Sequence, residues 1–446
     1  MRRFIAIGLV FAIMLAGVTF GPSAAAGRII SDLKLSESTA GIDYSFVCRQ
    51  YAYLVLQYRT SDESGRLVLT GKDGRYTGTV PLFHRQTARH VRIDISTPSG
   101  TTLLRTKERV TGSSRPALRA PDQNAAAKAG LKLKPGRKRM EFRVTAEGHH
   151  QVTICVTSVM QTAQYVLDEQ ENGVFKDTVR LPCVNAKDKV TVTVKSVRGK
   201  KLASASKRIP FVPPDVNPAA KTGPLKGVKV CIDPGHQENE VRAGKVYLYP
   251  GSTDRVSGGD ASMAQGVVTL RQESICVLEI SYRICRMMRE LGADVVMTRW
   301  AEEVSITNME RAKYANKQKA DYFLRIHLNS SGEGTNNAIY VYGPSNSPYA
   351  RKALPLDQYR DTAQTILNAM KAATGVKGGT VRMNDAYVGN NWAKMPTFLL
   401  ECGFLSTPAN DWILTTDDYQ EKIARGITDG LVAVVEGKLD KYKPLE

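Results

Sequence analysis

Four side chains in the C-terminal half have the types and positions for hydrolytic metal chemistry: His236, Glu273, His327 and Glu401. His236 follows the apolar run 228–233 within Asp-Pro-Gly-His, His327 ends the run 321–327, Glu401 ends the run 397–401, and Glu273 falls in the first turn of an expected helix. Two imidazoles and one carboxylate make a three-ligand zinc site whose fourth position is left to water, whereas a structural site would be closed by a fourth protein ligand. Open coordination implies catalysis, and a carboxylate beside it can carry a proton. Each residue also has a plainer role. A histidine at a strand end can simply be hydrogen-bonded, and a glutamate at a helix start is favoured by the helix dipole. The chain, however, has 6 histidines, and the two in this half lie at the same expected sheet edge. Glu401 closes Phe398-Leu399-Leu400, where a buried carboxylate is costly unless paired or employed. Asp233 is expected to cap the turn before Gly235 rather than to take part in the chemistry.

The elements that must position these groups follow from the pattern of residues 227–438. Short apolar runs at 228–233, 293–298, 321–327, 338–342 and 397–401 alternate with helical patterns, the mark of an α/β layer fold. Several runs are apolar on both faces, as in a covered sheet. A helix is expected over 271–291, stopped by Gly292. Thr307 and Glu310 form a capping-box pattern opening a second helix that reaches about Lys319, and a last helix spans 418–436. In open α/β sheets the carboxyl ends of the strands share one edge, where sites are built. The stretch 238–269 is Gly-rich and polar and is expected to form a loop at the mouth of the site.

The motifs resemble the zinc-dependent N-acetylmuramoyl-L-alanine amidase family (amidase type 3 catalytic domain). The similarity rests on Cys231-Ile-Asp-Pro-Gly-His236, on Glu273 opening a helix that ends in Leu-Gly-Ala-Asp-Val-Val-Met-Thr-Arg299, on Arg311-Ala-Lys-Tyr-Ala-Asn316, on Ile326-His-Leu-Asn-Ser330 and on Pro396-Thr-Phe-Leu-Leu-Glu-Cys-Gly-Phe404. The resemblance implies that His236, Glu273 and His327 hold Zn2+, that Glu401 is the catalytic acid/base, and that the substrate is peptidoglycan, cut between N-acetylmuramic acid and L-alanine. Arg325 stands where the family usually has serine, Gln237 where it has glycine, and Thr407 where it has asparagine; none of these removes a ligand. Two rival readings remain: a zinc peptidase acting within the stem peptide, and a wall-binding protein with an inactive site.

The N-terminal half differs in pattern and charge. Of the formal net charge of +19, the first 220 residues carry +17 and the rest +2. Residues 30–110 and 140–210 hold a repeat at an offset of 99: Val91, Ile93 and Ile95 correspond to Val190, Val192 and Val194, and Asp73-Gly74 to Asn172-Gly173. Period-two apolar residues and tight-turn pairs predict two antiparallel sandwiches of immunoglobulin-like architecture. Residues 111–139 are expected to form a basic linker and 211–226 a stiff, Pro-rich one. The densest basic run, Lys132, Lys134, Arg137, Lys138 and Arg139, is either a solvated surface or a site for an anionic cell-wall polymer. Nucleic acid is a poor partner, because no aromatic-interleaved basic motif occurs. Residues 1–26 read as an export signal, with Arg2 and Arg3, an apolar run and a small-residue cleavage region; an uncleaved anchor is the alternative. The expected location is therefore secreted or wall-associated, with no membrane attachment after cleavage. Among the 7 cysteines, only Cys155 with Cys183 is a plausible disulfide. The expected architecture is an α/β catalytic domain, its mostly parallel or mixed sheet flanked by helices, preceded by two small all-β sandwich modules.

Overall fold

The computed structural model describes residues 29–439, apart from 39–40, 52, 61–62, 72–73, 83–88, 98, 111–117, 182, 212–215, 239–240, 242, 260–262 and 331–336. The proposed export signal lies outside the described residues. No helix among those described is long and apolar enough to cross a membrane.

The first β module contains β1 (Ser31–Ser38), β2 (Gly41–Val47), β3 (Tyr53–Arg59), β4 (Ser64–Thr70), β5 (Arg75–Pro81), β6 (Arg89–Ser96) and β7 (Thr102–Val110). The second contains β8 (Gly130–Gly136), β9 (Arg139–Thr145), β10 (Gln151–Thr157), β11 (Gln161–Asp168), β12 (Val174–Arg180), β13 (Lys189–Ser196) and β14 (Lys201–Arg208). Both copies have the same topology. A three-stranded sheet, β1-β2-β5 or β12-β9-β8, faces a four-stranded one, β4-β3-β6-β7 or β14-β13-β10-β11. The alternating residues of the repeat supply the cores: Val91, Ile93 and Ile95 in one, Val190, Val192 and Val194 in the other. The equivalent edge strands β4 and β11 pair antiparallel, Leu67 with Gln161 and Ser64 with Gln164. The two larger sheets thereby merge into one of eight strands, and each edge protects the other from pairing with foreign chains.

Three expectations need correction here. Residues 130–139 are not tether, because Gly130–Gly136 is a strand paired along its whole length with β9; this sequence is rich in Lys, but Leu131 and Leu133 alternate with the lysines and pack on the core of the second module. The part of the Pro-rich segment after residue 215 is applied to the C-terminal domain, with Ala220 N–H donating to Arg289 O (2.8 Å) and Leu225 N–H to Leu291 O (3.0 Å). Cys155 and Cys183 are both free: the Cys155 thiol donates to Gln164 Oε1 and the Cys183 thiol to Val68 O, each at 3.3 Å.

The C-terminal domain runs through β15 (Lys229–Pro234), β16 (Lys245–Tyr247), β17 (Arg255–Ser257), α1 (Glu273–Glu290), β18 (Asp294–Met297), α2 (Asn308–Gln318), β19 (Tyr322–Asn329), β20 (Tyr340–Gly343), α3 (Pro348–Ala353), α4 (Leu356–Thr374), β21 (Val381–Met383), α5 (Val388–Asn391), β22 (Thr397–Phe404), α6 (Pro408–Leu414) and α7 (Asp417–Val435). Its sheet has the order β18-β15-β19-β22-β20-β21, with the first four strands parallel and β20 antiparallel to β22. Helices α1, α4 and α7 cover one face through a continuous apolar core that includes Cys276, Ile366, Ile423 and the strand residues Ile232, Ile326 and Leu400. Helices α2 and α5 lie over the other. Helix α2 begins in the expected capping box, with Thr307 Oγ1 accepting from Glu310 N and Glu310 Oε2 accepting from Thr307 N. Helix α4, 19 residues long, was not expected from the sequence. It packs closely on α7 because Gly426 and Gly430 leave room where a Cβ would come within 2.6–2.8 Å of the Met370 and Ile366 Cα atoms.

The β half is docked on this domain. Tyr53, Val68 and Met160 bury against Trp412 and Ile413, with the Tyr53 and Trp412 rings 5.7 Å apart. Asn185 Nδ2 donates to Thr415 O at 2.8 Å. The buried Arg271, two residues before Glu273, contacts Glu279 Oε1 (2.9 Å) and Asp188 Oδ1 of the second module (3.8 Å).

Candidate metal centre

Three of the four expected residues converge on one small volume. One donor atom from each of His236, Glu273 and His327 lies within 4.8 Å of the other two. His236, two residues past the end of β15, is in the left-handed region, φ +54°, and its ring lies against His327 and Glu273. Gly235 just before it lies under the His327 ring, where any Cβ would collide with the imidazole atoms; the Gly of Asp-Pro-Gly-His is therefore a packing requirement of the second histidine. The two rings meet edge to face with centroids 4.9 Å apart.

Glu273 reaches over from the first turn of α1. Its Oε2 accepts from Ala264 N (2.8 Å) and lies 3.3 Å from His236 Nε2; its Oε1 accepts from Leu328 N (2.9 Å) and His327 Nδ1 (3.1 Å). Burial opposes its charge. The hydrogen bond from His327, the nearby His236 and the Leu328 amide outweigh that and hold the carboxyl below its ordinary range. Burial lowers the His327 pKa, against the pull of Glu273, favouring the neutral ring. The buried His327 Nε2 has no hydrogen-bond partner. Neutral imidazole nitrogen and ionised carboxylate oxygen are zinc donors, and an otherwise costly orphan nitrogen is accounted for by a metal. The donor set fits the ion.

Glu401 occupies the neighbouring strand, in register with His327, so both side chains project from the same face. The sequence suggested that each ends its strand. In fact β19 continues to Asn329 and β22 to Phe404, with the register slipping between His327 and Asn329. Glu401 Oε2 is buried without a hydrogen-bond partner. Burial first, then the Glu273 carboxylate, push its pKa well above the usual range while Arg325 pulls it down. Beyond it, Tyr340 pairs with Glu401 across β20, and the Arg382 guanidinium carbon stacks 4.5 Å from the Tyr340 ring centroid.

The framework behind the site rests on three arginines, Arg299, Arg311 and Arg325, whose role is not apparent from the sequence. Asp233 is no simple turn cap. It is fully buried, with Arg311 Nη1 at 2.8 Å and Thr298 Oγ1 at 2.5 Å on Oδ1, and Arg325 Nε at 2.9 Å on Oδ2. Burial would raise its pKa, but the two guanidinium groups prevail and hold it far below the usual range. Arg325 thus turns to Asp233 and to Asn390 and Asn308 on the covering elements, although it shares a strand face with His327. Arg311 also donates to His236 O (2.8 Å) and Gln237 Oε1 (3.0 Å). Arg299 joins the first ligand loop to the start of α1, donating to Pro234 O, Gly235 O and Ser274 O at 2.7–2.9 Å. The signal available was a set of arginines inside otherwise apolar motifs, each needing a buried partner. The loop 238–269 contains the hairpin β16–β17 rather than being irregular throughout, and it is fastened to α5 by Asn391 Nδ2 donating to Leu248 O (3.1 Å).

Residues 230–433 match the family described as N-acetylmuramoyl-L-alanine amidase. The chain is 26% identical over 233 residues to the germination-specific N-acetylmuramoyl-L-alanine amidase of Bacillus subtilis, covering 49% of this chain and 84% of that protein. It is 27% identical over 211 residues to YqiI of the same organism, covering 46% and 93%. Among solved structures, an N-acetylmuramoyl-L-alanine amidase from Clostridium difficile 630 is similar at 25% identity with a TM-score of 0.38, covering 47% of this chain and 98% of that one.

Proposed function

From a C-terminal domain that belongs to the N-acetylmuramoyl-L-alanine amidase family, we propose that this protein is an exported, zinc-dependent hydrolase. It would cut the amide joining the lactyl group of N-acetylmuramic acid to the L-alanine of the stem peptide in peptidoglycan. The observation that carries this reading is the cluster of His236, Glu273 and His327 donor atoms, with Glu401 in register beside it.

His236, Glu273 and His327 would hold the ion, which supplies Lewis-acid polarisation of the scissile carbonyl and the attacking water when bound. The remaining work falls to the chain. Glu401 Oε2, buried and without a protein partner, takes the proton of the attacking water and returns it to the leaving amine, a contribution of typically about 10²–10⁴-fold. The Ala264 and Leu328 amides fix the Glu273 carboxylate. Arg299 and Arg311 hold the His236 loop against α1 and β15, the kind of outer support on which metal ligands depend. Tyr340 and Arg382 wall the side of the site beyond Glu401.

The test is product analysis of purified peptidoglycan digested with metal-loaded and chelated protein. A free lactyl carboxylate on the sugar, formed by the loaded protein and not the chelated one, is the expected result. New amino termini within the stem would instead support a zinc peptidase, and no bond cleavage at all would support a wall-binding protein.

A further inference from the structure

The geometry points to the outer face of β3, β6 and β7 as a binding surface for a linear polyanion. Period-two alternation decides which residues face outward. In β6 these are His90, Arg92 and Asp94, and in β7 Arg105, Lys107 and Arg109; Val91, Ile93 and Ile95 bury between them. Strand pairing aligns them into rows. Arg59 is opposite Arg92, and Arg92 is opposite Lys107, three cations directly abreast. In the next row Arg66 faces Gln57, and Asp94 faces Arg105; Arg109 faces His90. Asp94 is the one carboxylate at these outward positions among the described residues, and its bond from Arg105 Nε (2.8 Å) leaves the Arg59–Arg92–Lys107 row uncompensated by it. A shallow depression lies between Arg59, Arg66 and Arg92.

Like charges directly opposite on neighbouring strands, about 5 Å apart, destabilise a sheet. Three abreast form a standing cost that an anion laid across the strands would relieve. Repeated charges on one chain suit the rows better than a single small anion, because the cations extend over three strands and two successive outward positions. The basic run that stands out in the sequence is the weaker candidate. Lys134 and Arg139 both lie beside Glu141 (3.5 and 3.2 Å), and Lys138 is turned to Asn185 and Asp417 at the docking contact. The face also has a place relative to the catalytic domain. Val68, buried against Ile413 and Trp412, lies four residues along β4 from Ser64, the partner of Arg59, roughly 13 Å away. This inference rests on the charge pattern alone and is independent of the amidase reading.

The test measures binding of long-chain polyphosphate, and of polyglutamate as a carboxylate counterpart, to the purified chain across a salt series. The expected result for Arg59→Ser, Arg92→Ser and Lys107→Ser together is binding weaker by about tenfold or more at low salt, with a log–log salt slope shallower by about one per cation removed. The melting temperature should be unchanged or higher, since opposed like charges are removed. Lys132→Ser, Lys134→Ser and Arg139→Ser together, the same charge taken from the hairpin of β8 and β9, should leave binding within about twofold. The same pattern with polyglutamate in place of polyphosphate supports the face and assigns it to carboxylates. Wild-type binding by the first variant, an equal loss in the second, or tighter binding to duplex DNA than to either polymer overturns the proposal.

Discussion

Two buried charged clusters share the same face of the catalytic sheet, and they differ in how their polar atoms are satisfied. Around Asp233 each carboxylate oxygen is bonded, the guanidinium groups of Arg311 and Arg325 are spread over backbone and amide acceptors on several elements, and the buried atoms left open, Arg311 Nε and Gln237 Nε2, are donors. Around His327 the His327 Nε2 and Glu401 Oε2 atoms are buried without partners, although Glu273 is gripped by two amides. A buried network that is nearly saturated rigidifies a fold. One left open at particular atoms is incomplete without something from outside the chain. Charge and burial alone do not separate the two; the open acceptor atoms, which a cation or a water could use, do.

Breaking the open cluster should abolish activity and leave the fold standing. Glu401→Gln is expected to lower turnover of a soluble muropeptide by about 10²–10⁴-fold while bound zinc, measured by elemental analysis, stays near one per chain; unchanged turnover would remove Glu401 from the chemistry. His236→Ala should lose the metal, and full retention after dialysis would contradict its role as a ligand.

Breaking the Asp233 cluster should act on the stability of the fold. Asp233→Asn leaves two buried guanidinium groups facing a neutral amide, and about 3–5 kcal/mol of stability is expected to disappear from denaturant unfolding. The pH dependence has a definite sign. The native Asp233 carboxyl is held below its ordinary range, whereas in the unfolded chain it titrates near 3.9. Its stabilisation is therefore present above about pH 4 and is lost as the pH falls through the folded value, so Asp233→Asn should flatten the acid limb of the stability curve. An unaltered acid limb would show that the pair contributes little.

The smallest effect should come from a solvent-facing ion pair. Lys187→Ala removes the 2.9 Å contact with Glu303 at the domain junction, where the expected cost is about 1 kcal/mol or less. A larger drop in melting temperature would make the junction far more dependent on surface charge than its buried Tyr53–Trp412 contact suggests.

Much of this architecture is legible in the sequence where local chemistry and final structure agree. The Thr307–Glu310 capping box, the stop at Gly292, and the repeat that makes both sandwich cores are short-range signals. Helix α4 is amphipathic but opens at Pro355 without a side-chain cap, so its start carries no signature of the kind that marks α2. The β8 strand is concealed by lysines that occupy only its exposed positions. The merging of two sandwiches through β4 and β11 depends on pairing between strands about a hundred residues apart, which no local pattern encodes. The basic face is hidden for the same reason. Arg59, Arg92 and Lys107 are scattered in sequence and come together only through register, whereas the conspicuous run at 132–139 is partly taken up by Glu141 and the docking contact. In the site, all four residues are marked by type and position, although His327 and Glu401 both lie within strands that continue past them, and the open Glu401 Oε2 is visible only in three dimensions.

The most direct measurement is an anomalous difference map, collected at the zinc absorption edge, from crystals of zinc-loaded protein. The account predicts a single peak about 2.0–2.2 Å from a nitrogen of His236, a nitrogen of His327 and an oxygen of Glu273, with the Glu401 carboxylate facing its remaining open side. A fully loaded protein whose peak lies elsewhere, or whose three side chains do not share it, would contradict the account.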